Sequence, residues 1–323
     1  MSIDRRSFIK STMLTTCSFL LPQAILDLWA GEEQSLRLGL ITDLHKDTIH
    51  DADLRLQTFM DALKSVAPHA KIQLGDFAIP KKENQAFIES FNQGPIPALH
   101  AMGNHDMDEG YTREQVIQTF GMPAAYYAQV IQGIRLVVLN GNDPGSPKSS
   151  GGYDSYIGKA QQDWLKQELI NSKEPVLILS HQPIAGIYTI DNATEIQSLL
   201  SAHASKIILA INGHAHVDQF LEVGGVSYLH LNSASYYWVG EKHKHFSLDA
   251  STHTAFPDLS RTCLYAEVLF GILTLDRKEG KLTLSGKKSS WIGPSPLELG
   301  YGILSKEEQD LYVQPQISDR KIS

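Results

Sequence analysis

From residue 34 onward two hydrophobic textures alternate along the chain. Short apolar, β-rich runs occupy 36–41, 71–74, 98–102, 134–139, 175–180, 206–211 and 226–231. Segments of helical period lie between several of them. In 53–67, Leu56, Phe59, Met60, Leu63 and Val66 fall on one helical face. Segment 112–120 opens at Thr112, a residue suited to cap a helix, and closes at Gly121 with Pro123 just beyond. Segments 160–170 (Trp164, Leu165, Leu169) and 194–203 (Ile196, Leu199, Leu200) look alike. Strand alternating with helix predicts an α/β domain around a largely buried sheet. The stretch 141–158 is rich in Gly, Ser, Asp and Pro and predicts a long loop.

The pattern changes towards the C-terminus. Residues 239–261 are polar and without clear period. Two alternating runs, 264–275 and 281–286, flank Asp276-Arg277-Lys278-Glu279-Gly280, which predicts a hairpin. We therefore expect a core over 31–240 and a C-terminal extension over 241–323. The extension would pack on the core, with a cap over the site as one role open to it.

The N-terminus has a third texture. Asp4-Arg5-Arg6-Ser7-Phe8-Ile9-Lys10 precedes a modest apolar run from Met13 to Ile25, interrupted by Pro22. A charged segment, a short apolar run and a small residue at Ala30 are the anatomy of an export signal over 1–30. The run is too short and too polar for a membrane span. The paired arginines resemble the twin-arginine signal, which suits export of a folded protein to the periplasm or beyond. An amphipathic N-terminal helix is the alternative. Leu14-Thr15-Thr16-Cys17 is a weak match to a lipoprotein acylation site.

Composition narrows the chemistry. The chain has 323 residues, 28 Lys+Arg against 36 Asp+Glu, a net charge of −8 and 42% hydrophobic residues. These values exclude disordered, collagen-like and disulfide-stapled chains. The acidity disfavours a dedicated nucleic-acid binder, whose grip depends on neutralising phosphates. Thirteen histidines stand against two cysteines. Removal of 1–30 would take Cys17 and leave Cys263 alone, so a thiolate cage is impossible and any metal must be held by nitrogen and oxygen.

The chemistry-bearing residues follow the strands. The run at 38–42 leads into Asp43-Leu44-His45, and 71–74 leads into Gly75-Asp76. The run at 97–102 leads into Gly103-Asn104-His105-Asp106. Val176–Ser180 leads into His181-Gln182-Pro183, and 207–212 into Gly213-His214-Ala215-His216. One Asp or His after a strand is ordinarily a turn residue or helix cap. Five such endings in order are different, because ligands of α/β sheets bind at the carboxyl ends of strands.

This ordered set resembles the calcineurin-like metallophosphoesterase superfamily, over about residues 36–240. The resemblance implies a four-layer α/β/β/α sandwich of two packed mixed sheets flanked by helices, and a two-metal centre. Carried over by position, Asp43, His45 and His216 would hold one metal. Asn104, His181 and His214 would hold the other, with Asp76 bridging both. His105 would assist the departing ester oxygen, oriented by Asp106.

Two metals roughly 3.5–4 Å apart clamp a phosphoryl oxygen and acidify a bridging water into a hydroxide nucleophile. Carboxylate, carboxamide and imidazole donors suit divalent or trivalent Mn, Fe, Zn, Co or Mg. Ile79, three positions after Asp76, replaces the tyrosine that purple acid phosphatases place there. The expected reaction is hydrolysis of a small phosphodiester or phosphomonoester. Within the superfamily the motif set is most similar to class III cyclic-nucleotide and glycerophosphodiester phosphodiesterases. A non-catalytic module on the same fold, or a phosphatase or nuclease acting on macromolecules, are the alternatives.

Other candidates carry less. Asn140, Asn142 and Asp143 could line the rim or simply shape the loop. Tyr236-Tyr237-Trp238 could stack a base or aryl group, or pack inside. His243, His245 and His253 could add ligands, or lie in a solvated loop. His50, His69, His100, His203 and His230 show no pattern and are read as structural.

Overall fold

The computed structural model describes residues 21–29, 35–149, 151–302 and 304–322. The paired arginines and Cys17 lie outside them. The first half of the chain runs α1 (Gln23–Leu28), β1 (Ser35–Ile41), α2 (Ala52–Val66), β2 (Ala70–Gln73), α3 (Gln85–Asn92), β3 (Ala98–His100) and α4 (Arg113–Phe120). It continues through β4 (Tyr127–Ile131), β5 (Ile134–Val138), α5 (Lys159–Asn171), β6 (Val176–Ser180), α6 (Ala193–Ser201), β7 (Ile207–Asn212), β8 (Gln219–Val223) and β9 (Val226–His230). The remainder carries β10 (Tyr236–Trp238), α7 (Ala250–Ala255), β11 (Thr262–Tyr265), β12 (Gly271–Asp276), β13 (Lys281–Ser285), β14 (Lys287–Lys288), β15 (Trp291–Ile292), α8 (Lys306–Tyr312), β16 (Gln316–Ile317) and β17 (Arg320–Ile322).

Two six-stranded sheets form the centre. One has the order β17-β13-β12-β1-β2-β3, the other β4-β5-β6-β7-β9-β8. In each, the motif-bearing strands are parallel neighbours: β1 with β2 and β2 with β3, then β6 with β7, with β5 parallel to β6 on its other side. Side chains alternate across each strand. Leu177 and Leu179 of β6 join Leu36, Leu38 and Leu40 of β1 in the core between the sheets. Val176 and Ile178 face outward and are covered by Leu165 and Leu169 of α5 and Ile196 and Leu200 of α6. On the other side, Gly39 of β1 abuts Leu63 of α2 so closely that a Cβ would meet it. The fold is therefore the α/β/β/α sandwich that the resemblance implied, and the α/β domain that the strand–helix alternation predicted. Each buried leucine adds roughly 1.5–3 kcal/mol of hydrophobic stabilisation.

Local signals worked where they were self-contained. Thr112 caps α4 with a reciprocal bond pair to Gln115, and Gly121 closes the helix in a left-handed conformation. Among the described residues of 141–158 there is no helix or longer strand, only the isolated bridge Asn142–Tyr156. The expected elements do not include the edge strands β4 and β8 or the helix α3, although α3 buries Phe87, Ile88 and Phe91 along one face.

The division at residue 240 needs correction. β12 of the hairpin pairs antiparallel with β1, setting Leu273 against Leu38 and Leu275 against Leu36, and β13 and β17 extend the same sheet. The C-terminal part thus completes the first sheet, because β1 needs a partner on its second edge. Within the alternating run 264–275, β11 instead joins β10 and β15 in a small separate sheet beside the site.

The expected leader also meets the fold. Leu21, Ile25 and Trp29 are buried in the core, and Trp29 Nε1 donates to Gln132 O at 2.8 Å. Leu21 N donates to Gly280 O at 2.5 Å. Gln132 and Gly280 lie in the turns before β5 and between β12 and β13, so this segment plugs the sandwich at the end opposite the motif-bearing strand ends. A removed segment reaching Ala30 would strip these anchors from the core.

Candidate metal centre

The five motifs meet where the parallel strands of both sheets end. Asp43, His45 and His216 bring one donor atom each within 4.8 Å of one another, as do Asp76, His181 and His214. Asn104 joins the second group, with Oδ1 at 3.2 Å from His181 Nε2. Asp76 reaches both groups, its Oδ2 lying 3.2 Å from His181 Nε2 and 3.7 Å from His45 Nε2. All but the half-buried His214 are buried.

The backbone here is unusual. Asp43, His45, Asp76, His214 and His216 all have φ between 50° and 64°. Left-handed conformations are uncommon for residues other than glycine and cluster at functional sites, where the surrounding structure holds them. The inter-sheet packing holds them here. Asp43 N donates to Gly75 O, His45 N to Asp76 O, and His214 N to Asp43 Oδ2 at 2.9 Å. Gly103 and Gly213 serve by size: a Cβ on Gly103 would enter Asp76, and one on Gly213 would enter Thr42 and Asp43.

The donor chemistry fits metal ions. His181 Nδ1 lies 2.8 Å from Leu74 O, and His216 Nδ1 lies 2.8 Å from Tyr236 O. A carbonyl oxygen only accepts, so both Nδ1 atoms carry a proton, and each ring in its neutral form turns a bare Nε2 inward. Those lone pairs face acceptors. His216 Nε2 is 3.2 Å from Asp43 Oδ1, and His181 Nε2 is 3.2 Å from Asp76 Oδ2. His45 Nε2 is buried with no hydrogen-bond partner. Acceptors facing acceptors in a buried site call for cations between them.

The charge balance agrees. Burial pushes His45 and His214 down to about 3, towards the neutral form that metal ligation would require. Burial opposes the charge on Asp43 as well, yet the neighbouring His216 brings it down to about 2. For His181, burial is outweighed by Asp76, which raises it to about 9.

His105 stands at the mouth of this floor, with its ring 5.3 Å from that of His45. Its expected partner Asp106 is elsewhere. Asp106 is fully buried and accepts from Phe77 N (2.7 Å), Gly103 N (2.8 Å) and Ala78 N (3.2 Å), tying the Gly75-Asp76 turn to the Gly103 turn. The carboxylate on His105 is Asp108, 2.7 Å from Nδ1. Tyr153 Oη donates to Asp108 Oδ1 at 2.6 Å and lies 3.1 Å from His105 Nδ1. Burial would lower His105, but Asp76 and Asp108 together raise it to about 9. The correction is geometric: the short 3₁₀ turn after Asn104 points residue 106 inward and residue 108 back over the ring.

A cavity of about 550 Å³ opens above the floor. Thr48, Tyr188, Asp258, Arg261 and Tyr301 line it as well, and no motif announced them. Tyr236, Tyr237 and Trp238 line it too: the first two are buried and Trp238 is exposed. Asn140, Asn142 and Asp143 are instead buried braces. Asn142 Nδ2 donates to Met102 O, and Asp143 pairs with Arg113. His243, His245 and His253 bond backbone groups instead: His243 Nδ1 lies 3.0 Å from Leu299 O, His245 Nδ1 lies 3.1 Å from His243 O, and His253 Nε2 accepts from Ser247 N. Ile79 is buried, and its N donates to Asp47.

These features define a class. The family model for calcineurin-like phosphoesterases matches residues 36–218, more than half of the chain, and the chain belongs to that family of metal-dependent phosphoester hydrolases. A probable cyclic nucleotide phosphodiesterase of Synechococcus is 27% identical over 218 residues, 62% of this chain and 80% of the relative. A dimetal phosphatase of Danio rerio has a similar fold, with TM-score 0.56, 16% identity, and coverage of 80% of this chain and 98% of that one. GAP50, described as the anchor in the inner membrane complex of Plasmodium, is similar at TM-score 0.55 and 13% identity, covering 80% and 85%.

Proposed function

We propose that this chain hydrolyses small phosphodiesters with two metal ions, Asp43, His45 and His216 holding one and Asn104, His181 and His214 the other, with Asp76 between them. The observation that carries this reading is the set of inward, bare imidazole nitrogens facing the carboxylates of Asp43 and Asp76. Bound metals supply Lewis-acid charge on the phosphoryl group and acidify a water. The backbone carbonyls on Nδ1 of His181 and His216 hold those rings with Nε2 facing the site, so the site is organised before the substrate arrives. His105, with Nδ1 committed to Asp108, has Nε2 left to donate a proton to the departing ester oxygen. The sequence similarity to a phosphodiesterase supports a diester over a monoester.

The test is metal-dependent hydrolysis of bis-p-nitrophenyl phosphate and p-nitrophenyl phosphate with Mn²⁺, Zn²⁺, Fe²⁺, Co²⁺ or Mg²⁺ added singly. Turnover of the diester above the monoester is expected. No turnover of either with any metal sinks the proposal. The complete ligand set and His105 favour this reading over a non-catalytic module, and the acidic balance disfavours nucleic acid as substrate.

We also propose export to the periplasm or beyond, guided by Arg5-Arg6. The burial of Leu21, Ile25 and Trp29 supports a cut, where one is made, ahead of Leu21. Mass analysis of the exported protein tests this; a mature N-terminus after Ala30 would overturn it.

A further inference from the structure

We propose that the cavity contains an aromatic subsite, with Trp238 and Tyr188 gripping a planar substituent of the phosphoester, a nucleobase or an aryl group. The inference rests on the phosphodiesterase reading and specifies which diesters that site prefers.

Exposed aromatics are the first observation. Among the described residues, the large aromatic side chains that stand exposed are Tyr153 (53%), Tyr188 (44%), Trp238 (42%) and Phe246. Three of the four ring this one cavity. A scattered exposed apolar residue needs no explanation, but a cluster around a cleft marks a binding surface.

The wall is also built to hold its faces still. The Tyr236 ring packs 5.0 Å from that of His45 and 5.1 Å from that of His216, and Trp238 follows 6.4 Å further on. The indole is thus tied to the ligands through one intervening ring. On the same cavity, Tyr188 sits at a left-handed φ of 51° beside Tyr301 and Tyr237, which themselves meet edge to face at 5.7 Å. A non-glycine residue held in this conformation with its ring half in solvent is positioned, not packed.

Charge points the same way. Arg261 is the one lysine or arginine among the described residues lining the cavity, and it is bridged by Asp258 and Glu241. The wall therefore offers π-faces and phenol groups, with no uncommitted cation. About 550 Å³ is ample for a planar ring beside a phosphoryl group. Stacking on tyrosine and tryptophan tolerates any ring that presents a π-face.

Competition against hydrolysis of bis-p-nitrophenyl phosphate by the metal-loaded full chain tests this. Diphenyl phosphate, diethyl phosphate and adenosine 3′,5′-cyclic phosphate each present one singly charged phosphodiester. The aromatic competitors should inhibit at least tenfold more tightly than diethyl phosphate. Trp238→Ala and Tyr188→Ala should each cut that ratio several-fold. Tighter inhibition by the cyclic nucleotide assigns a nucleobase, and tighter inhibition by diphenyl phosphate assigns an aryl group. Equal inhibition by diethyl and diphenyl phosphate, or a ratio unmoved in both variants with native melting, overturns the subsite alone. Absence of metal-dependent turnover overturns the phosphodiesterase reading first, and the subsite with it. The ratio in the native protein decides even where a variant fails to fold.

Discussion

Asp43, His45, Asp76, Asn104, His181, His214 and His216 stand within four residues of a strand end, almost all buried, on backbone stitched between two sheets. Tyr153, Tyr188 and Tyr301 stand on loops far apart in sequence, and Trp238 ends a three-residue strand. The floor of the cavity is thus rigid and polar, and its wall is exposed and aromatic. The contrast separates two tasks. Phosphoryl chemistry needs donor atoms fixed to within a fraction of an ångström, which strand ends provide. Discrimination between ester substituents tolerates, and gains from, surfaces assembled by loops.

Substitutions should separate floor from wall by size of effect. Asp76→Ala removes the carboxylate between both ligand groups. It should lower kcat by on the order of 10³ or more and reduce bound metal, read by steady-state kinetics and metal analysis of the purified protein. His105→Ala should cost about 10²–10⁴ in kcat with metal content kept. Asp108→Asn should cost about 10–100-fold, more for alkyl than for p-nitrophenyl leaving groups, because it disorients the proton donor. Asp106→Asn should show no such leaving-group dependence; its effect should fall on stability, since three backbone N–H groups lose a charged acceptor. Equal leaving-group dependence in the two variants would show that Asp108 is not the orienting carboxylate.

The smaller effects lie away from both floor and wall. Trp29→Ala should destabilise by about 3–5 kcal/mol, a fall in Tm of roughly 10 °C, with kcat unchanged. An unchanged Tm would mean that the α1 plug is dispensable.

Acidification supplies a further check. Burial lowers His100 to about 3 and His230 to about 4, below the ordinary 6.5. Between pH 6.5 and about 4 the unfolded chain therefore binds more protons than the folded one, and stability must fall as pH falls through that window. At pH 5 each histidine should cost about 2 kcal/mol, and His45 and His214 add in the same direction. Chelator-treated protein should melt lower at pH 5 than at pH 7.5, and His230→Gln should shrink the difference.

Legibility followed the range of the signal. Each donor motif is a short string read within one strand–turn unit, so the floor was visible without coordinates. The Asp106 assignment failed because sequence adjacency to His105 does not say which way a 3₁₀ turn points a carboxylate. Asp108 is only two residues further on, yet its partner Tyr153 comes from a glycine-rich loop with no motif of its own. The boundary at 240 failed because the alternation in 271–276 shows a strand and not which strand it pairs with. Trp29 gave no sign of burial, since an apolar run reads alike as a leader or as a core plug.

What the sequence alone determined is the alternation of strands and helices, the nitrogen-and-oxygen donor set and the order in which those donors follow the strands. These depend on interactions within a few residues, where side-chain type and spacing carry the information. The tertiary structure decided which strands complete the first sheet, that five donor-bearing residues adopt left-handed backbone, which carboxylate orients His105 and which aromatics face the cavity. Those depend on packing between segments as far apart as Ser35 and Asp276, and only the closure of the two sheets brings their contacts into being.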